Sequence, residues 1–234
     1  MCTGPERRAD GVLFDKDGTL FDFDATWVAW VEALIAHWGG QDAARRAALA
    51  AAVGFDLAGR AFHPGSVAIA GTPEETARAL APVVGLPAAA LVDRLNEEAA
   101  LAPMAEAVPL APLLGGLRSQ GLRLGVATND AEAPARAHLS AAGVLELFDF
   151  IAGSDSGHGG KPGPGMCQAF ARATGLAPGR VVMVGDSTHD LIAGRAAGMQ
   201  VVAVLSGPAG VAELGPLADA VLPDIGHLPG WLAA

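Results

Sequence analysis

Apolar positions recur in two different rhythms along this chain, and the change between them divides it. From about residue 24 to residue 103 they fall at helical spacing, with Trp27, Val31, Leu34, Ile35 and Trp38 on one face. Further helices are predicted over residues 42–53, 73–84 and 87–101, with Pro73 and Pro87 placed as first-turn residues, and no strand pattern interrupts them. Residues 59–66 read as a loop from their Gly and Pro content. From about residue 109 the rhythm becomes one of short apolar runs, at 122–127, 148–152, 180–184, 200–205 and 219–222, separated by helical stretches. An earlier run, Gly11-Val12-Leu13-Phe14, has the same character. Strands alternating with helices predict βαβ units and a parallel sheet, so the fold class is α/β. The helical block falls between the first strand and the others. It is therefore expected to form a separate lobe of residues 23–104, inserted into a core of residues 1–22 and 105–234.

The polar residues that follow these runs are not scattered. Asp15-Lys16-Asp17-Gly18-Thr19 follows the first strand, Thr128-Asn129 follows the run ending at Ala127, and Gly185-Asp186-Ser187-Thr188-His189-Asp190 follows Val181–Val184. Lys161-Pro162 precedes a further predicted helix. Open α/β sheets bind ligands at the carboxyl ends of their strands, which is where these segments lie. Asp15 and Asp17 are close enough to repel each other when both are ionised, and a Mg²⁺ ion, which takes oxygen ligands, removes that conflict. Each motif also has a local reading: Asp17-Gly18 as a plain turn, Asp186 or Thr128 as a helix cap, Lys161 as a solvated surface residue. Lys16 and Lys161 are the only lysines in the chain. By strand alternation the Lys16 side chain is expected to point away from the two acids, toward solvent or Asp22.

Composition narrows the classes. The 234 residues are 51% apolar, enough for a buried core, and the formal charge of −10 removes the broad basic footprint that nucleic-acid binding requires. Two cysteines, Cys2 and Cys167, make no disulfide framework, and no apolar stretch has the length of a signal peptide or a membrane span. A cytoplasmic monomer with no membrane and no direct nucleic-acid partner is expected. Neither Gly-x-x-x-x-Gly-Lys-Ser/Thr nor a strand-linked Gly-x-Gly-x-x-Gly occurs, and the six histidines lack paired metal spacing, which sets aside nucleotide-loop, dinucleotide and zinc chemistry. His189 is expected to be a helix-face residue.

Taken together, the four segments resemble the motifs of the haloacid dehalogenase superfamily, in the right order and over about residues 10–232, and within it the phosphoglycolate phosphatase group. That resemblance implies a Rossmann-like parallel core with a mobile helical cap. It implies Asp15 as the nucleophile that becomes an aspartyl phosphate, and Asp17 as acid and then base. Its Mg²⁺ site would draw on Asp15, the Asp17 main chain, Asp186 and Asp190, the last through a water or by orienting the other ligands. Gly18, Thr128, Asn129 and Lys161 would hold the phosphate, with Thr128 and Lys161 acting in catalysis. The implied function is Mg²⁺-dependent hydrolysis of a small-molecule phosphate monoester. A β-phosphoglucomutase-like mutase is the main alternative, and a non-catalytic phospholigand-binding protein a further one. Asp17 argues against the dehalogenase branch, and the absence of lysine from the insertion argues against a phosphonatase. For the leaving group, Arg60, His63 and Ser66 share one loop and could reach a carboxylate, although Arg60 could equally pair with Asp56.

Overall fold

In a computed structural model the chain is described over residues 7–63 and 65–233; Cys2 and Pro64 lie outside the described residues. The first strand, β1 (Gly11–Phe14), leads into five helices, α1 (Phe23–Gly39), α2 (Ala43–Val53), α3 (Val67–Ala70), α4 (Pro73–Val84) and α5 (Ala88–Ala99). Between α2 and α3 lies a hairpin, β2 (Phe55–Asp56) and β3 (Ala61–Phe62). The remainder runs α6 (Leu110–Ser119), β4 (Arg123–Ala127), α7 (Glu132–Ala141), β5 (Phe150–Ala152), α8 (Gly165–Thr174), β6 (Val181–Gly185) and α9 (Thr188–Ala196). It ends with β7 (Gln200–Val204), α10 (Val211–Leu214), β8 (Ala220–Leu222) and α11 (Leu228–Ala233).

The six longer-range strands form one parallel sheet in the order β5-β4-β1-β6-β7-β8. Helices cover both faces, so β1 and β6 are buried at every position, which is why they read as unbroken apolar runs. Alternate residues serve opposite layers. Val12, Phe14, Val126, Val182 and Val202 pack with Leu110, Leu114 and Leu228, whereas Leu13, Met183 and Val201 pack with Met166, Phe170 and Leu191. The helical block has its own apolar centre, formed by Trp27, Val31, Leu34, Ile35, Leu49, Leu80, Leu91 and Leu95. Local chemistry sets its helix starts: Asp22 and Asp42 accept from Ala25 N and Arg45 N, and Thr72 with Glu75 forms a reciprocal cap ahead of Pro73.

One element departs from the sequence expectation. The β2–β3 hairpin stands where the sequence pattern predicts only loop and helix. Its strands are two residues each, too short to show a period, and they are held by the Phe55–Phe62 ring contact at 5.0 Å and by Asp56 Oδ1 accepting from Ala58 N at 2.9 Å. No single helix among the described residues is long and apolar enough to cross a membrane.

The position of β1 opens a crevice at the carboxyl edge of the sheet. This strand pairs with β4 on one edge and β6 on the other, so the strand order reverses there. At such a switch point the loops leaving neighbouring strands diverge at their carboxyl ends, and the gap between them can admit a ligand.

Candidate active site

Asp15 is the first residue past β1, and its N–H donates to Val184 O at 2.8 Å, which keeps the chain in register up to the crevice. The chain then turns sharply: Leu20 N and Phe21 N both donate to Lys16 O, at 2.9 and 3.0 Å. Gly18 sits in this turn at φ 77°, and any Cβ there would run into the Asp186 carboxylate. Gly207, after β7, is under the same restriction from Asp186, and Ser206 Oγ ties the two loops by donating to Gly18 O at 2.7 Å. Neither Ser206 nor Gly207 stands out in the sequence, because their importance lies in closeness to a side chain from another strand.

Lys161 is the centre of the crevice. Its Nζ lies 2.6 Å from Asp15 Oδ1 and 2.6 Å from Asp190 Oδ1, and all three residues are buried. Asn129 fixes the lysine backbone from both sides, accepting from Lys161 N at 2.7 Å and donating to Lys161 O at 2.9 Å. Asp190 spends its other oxygen on the start of α9, accepting from Ser187 N at 3.0 Å and Ser187 Oγ at 2.6 Å. With both oxygens engaged by the protein, Asp190 orients Lys161 and caps the helix. Asp186 receives a longer contact, 3.4 Å from Thr19 Oγ1.

Carboxylate oxygens of Asp15, Asp186 and Asp190 all lie within 4.8 Å of one another. Three carboxylates against one ammonium leave two negative charges without a counter-charge. Burial, and next the Asp190 carboxylate, push Asp15 up to about 7. Burial, then Asp15 and Asp190, hold Asp186 well above the usual carboxylate range. Burial works to lower the Lys161 ammonium, but Asp15 and Asp190 outweigh it and hold it above the usual lysine range. The cluster is therefore short of positive charge and built from oxygen donors, the preference of a hard divalent cation.

Lys16 corrects the sequence expectation. It is fully buried, with Nζ 3.0 Å from the Asp17 carboxylate, 3.0 Å from Asp130 Oδ2 and 3.0 Å from His138 Nδ1, and 5.4 Å from the Trp27 ring centroid. Strand alternation no longer governs this residue because β1 ends at Phe14 and the turn has begun. His138 Nε2 is 2.8 Å from Ala99 O, so that nitrogen carries the proton and Nδ1 accepts from the lysine. Burial, and then the Lys16 charge, hold the imidazole below its usual range, consistent with a neutral ring. Burial also acts to lower Lys16, but Asp17 and Asp130 prevail and raise it. The result is a buried chain from Asp17 through Lys16 and His138 to the end of α5 in the helical block.

Helices roof the crevice. Asp15, Asp17, Thr128, Asn129, Lys161 and Asp186 line its floor, and its roof is made by Trp27, Trp30, Ile69, Thr72, Leu95 and Asn96. Thr128 is buried and its Oγ1 accepts from Asp130 N at 3.1 Å. In the sequence Trp27 reads only as a packing residue; that one edge of this apolar face stays open over the acids is not visible in its spacing. His189 lines the mouth, where the sequence predicts a plain helix-face position.

Arg60 and His63 are not brought to the crevice. Arg60 forms a two-pronged pair with Glu32, at 2.6 and 2.9 Å, on a side chain that is 65% exposed, and Asp56 is not its partner. His63 is exposed beyond the hairpin, and Ser66 is turned inward, donating to Val53 O at 2.5 Å. The hairpin that the sequence pattern does not reveal is what turns this loop outward.

Residues 9–198 match the haloacid dehalogenase-like hydrolase family. A phosphoglycolate phosphatase of Rhodospirillum rubrum is 39% identical over 122 residues, which is 51% of this chain and 50% of that protein. The chain thus spans about half the length of this curated relative. Among solved structures, a haloacid dehalogenase family hydrolase of Deinococcus radiodurans R1 with bound phosphate and sodium is 25% identical, with 97% of this chain and 96% of that one covered and a TM-score of 0.67. A putative β-phosphoglucomutase of Thermotoga maritima shares the fold at 21% identity, with 91% and 94% covered and a TM-score of 0.62.

Proposed function

The chain belongs to the haloacid dehalogenase-like hydrolase family, and from that membership we propose that it hydrolyses a small-molecule phosphate monoester through a phosphoryl group carried on Asp15. The observation that carries this reading is Lys161, held at 2.6 Å from both Asp15 and Asp190 beside Asp186, in a crevice at the switch point of the sheet.

In the proposed reaction Asp15 attacks phosphorus, the ester P–O bond breaks, and the departing alkoxide takes a proton from Asp17. A water then attacks the aspartyl phosphate and gives its proton to Asp17, releasing inorganic phosphate and restoring Asp15. Phosphoryl transfer spreads charge over the peripheral oxygens, so most of the catalytic work is positioning and charge stabilisation. The Lys161 ammonium supplies a cation to those oxygens, while Thr128, Asn129 and the Gly18 turn shape the phosphate seat. Lys16 fixes the Asp17 carboxyl from behind.

The excess of buried carboxylate fits Mg²⁺, which Asp15, Asp186 and the Asp17 main chain would hold, with Asp190 keeping the lysine in place. Such an ion would neutralise the acids and supply Lewis-acid polarisation of a phosphoryl oxygen. We further propose that residues 23–104 act as a cap over a core of residues 1–22 and 105–234, in a cytoplasmic monomer.

The test is release of inorganic phosphate from p-nitrophenyl phosphate by the purified chain. It should require Mg²⁺, stop on addition of EDTA, and be abolished in Asp15→Asn. Turnover by Asp15→Asn at the wild-type rate would refute the mechanism.

A further inference from the structure

Among the described residues, the space that receives the leaving group contains no arginine, and no lysine beyond the one already committed to Asp15 and Asp190. Its inner part is walled by Trp27, Trp30, Ile69 and Leu95, with Thr72, Thr76 and Asn96 as the polar exceptions. Toward solvent it continues into a wider cleft where the charged lining residues of the helical block and α10 are Glu75 and Glu213, with His189 between the two spaces. Lys16 lies behind Asp17 and is shared among Asp17, Asp130 and His138. Arg60 is held by Glu32 away from both spaces. A carboxylate or second phosphate on the leaving group would therefore be desolvated without a cation and would face acidic side chains at the mouth, an arrangement that disfavours binding strongly.

One polar atom in this roof has no partner among the described residues. The Trp30 indole N–H is buried and makes no hydrogen bond there, although Trp30 lines the crevice. Buried indole N–H groups are ordinarily satisfied, and this one is shut in by its neighbours although other atoms of Trp30 border the crevice. Trp27 and Trp30 meet edge to face, with ring centroids 5.2 Å apart at 85°, and so offer a rigid aromatic wall at small entropic cost.

Resting on the phosphatase reading above, we propose that the preferred substrates are phosphate monoesters of uncharged alcohols with an apolar, ring-sized body, and that esters carrying a carboxylate or a second phosphate are selected against. This separates the chain's specificity from that of a phosphoglycolate phosphatase such as its Rhodospirillum relative, and it disfavours a mutase that works through a bisphosphate.

The purified chain with Mg²⁺ is assayed for kcat/KM on benzyl phosphate, 2-phosphoglycolate and glucose 1,6-bisphosphate. Benzyl alcohol and glycolate are both poor leaving groups, so the comparison reads binding of the alcohol portion rather than bond strength. Benzyl phosphate is expected to lead each of the others by about tenfold or more, the size of effect that an unpaired charge in a dry pocket produces. Ile69→Arg, which installs a cation in the roof, should narrow that ratio by about tenfold in favour of 2-phosphoglycolate. Equal or better turnover of 2-phosphoglycolate by the wild type would overturn the specificity proposal and leave the phosphatase reading intact. Absence of phosphate release from all three esters and from p-nitrophenyl phosphate would sink both.

Discussion

Lys16 and Lys161 are each buried between two aspartates, yet one faces the reaction space and the other is sealed away from it. Around Lys161 a third carboxylate, Asp186, completes an under-neutralised cluster that opens to the crevice. Around Lys16 the remaining sides are closed by His138 and Trp27, and the charge imbalance is only that of one lysine against two acids. On the proposed mechanism the same side chain serves as a phosphoryl ligand in one place and as a strut in the other. What decides is not the lysine but whether its shell of acids keeps an open side.

The largest expected effect comes from removing the open-sided lysine. Lys161→Ala should lower kcat on p-nitrophenyl phosphate by about a thousandfold, as loss of a preorganised charge at the transition state does, with folding judged by circular dichroism. Lys16→Met strips the counter-charge from Asp17 and Asp130, and urea denaturation should show a loss of about 3–5 kcal/mol, while kcat falls less than in Lys161→Ala. Pairing it with Asp130→Asn should recover part of that stability, since one uncompensated acid is removed. A Lys16→Met protein as stable as wild type but inactive would erase the distinction between the two lysines.

The proposed metal is expected to make a smaller difference that depends on pH. Asp15 is held up to about 7 without an ion, so its favourable contribution to folding is complete below the ordinary carboxylate range and is lost as pH rises through about 7. Metal-free protein should therefore lose stability across that interval. Mg²⁺ should raise Tm more at about pH 8 than at about pH 5, by the usual linkage of binding to folding. A Tm increment that shrinks with rising pH would contradict the proposed ligand set. The smallest effect is expected at Arg60: Arg60→Ala should leave KM and the urea midpoint nearly unchanged, because its pair with Glu32 is solvent-exposed.

The helices at residues 73–84 and 43–53 are legible in the sequence because Pro73, Asp42 and apolar spacing are local devices. Likewise Asp15, Asp186 and Thr128 can be placed at strand ends from the runs before them. The hairpin over residues 55–62 is not legible, since four paired residues carry no period, and its consequence is that Arg60 and His63 lie away from where the loop alone would put them. Trp30 gives no signal because one aromatic on an apolar helix face looks the same in sequence whether it is packed or open to a ligand.

By itself the sequence determined where strands end and which chemical groups stand at those ends, because both follow from neighbours a few residues away. Only the tertiary structure decided that Lys16 meets His138, 122 residues distant, that Lys161 crosses from its own loop to Asp15 and Asp190, and that the described residues of the roof include no free cation. Those outcomes depend on the order in which parallel strands pair and on how the helical block seats over them, and neither is written in any local stretch of the chain.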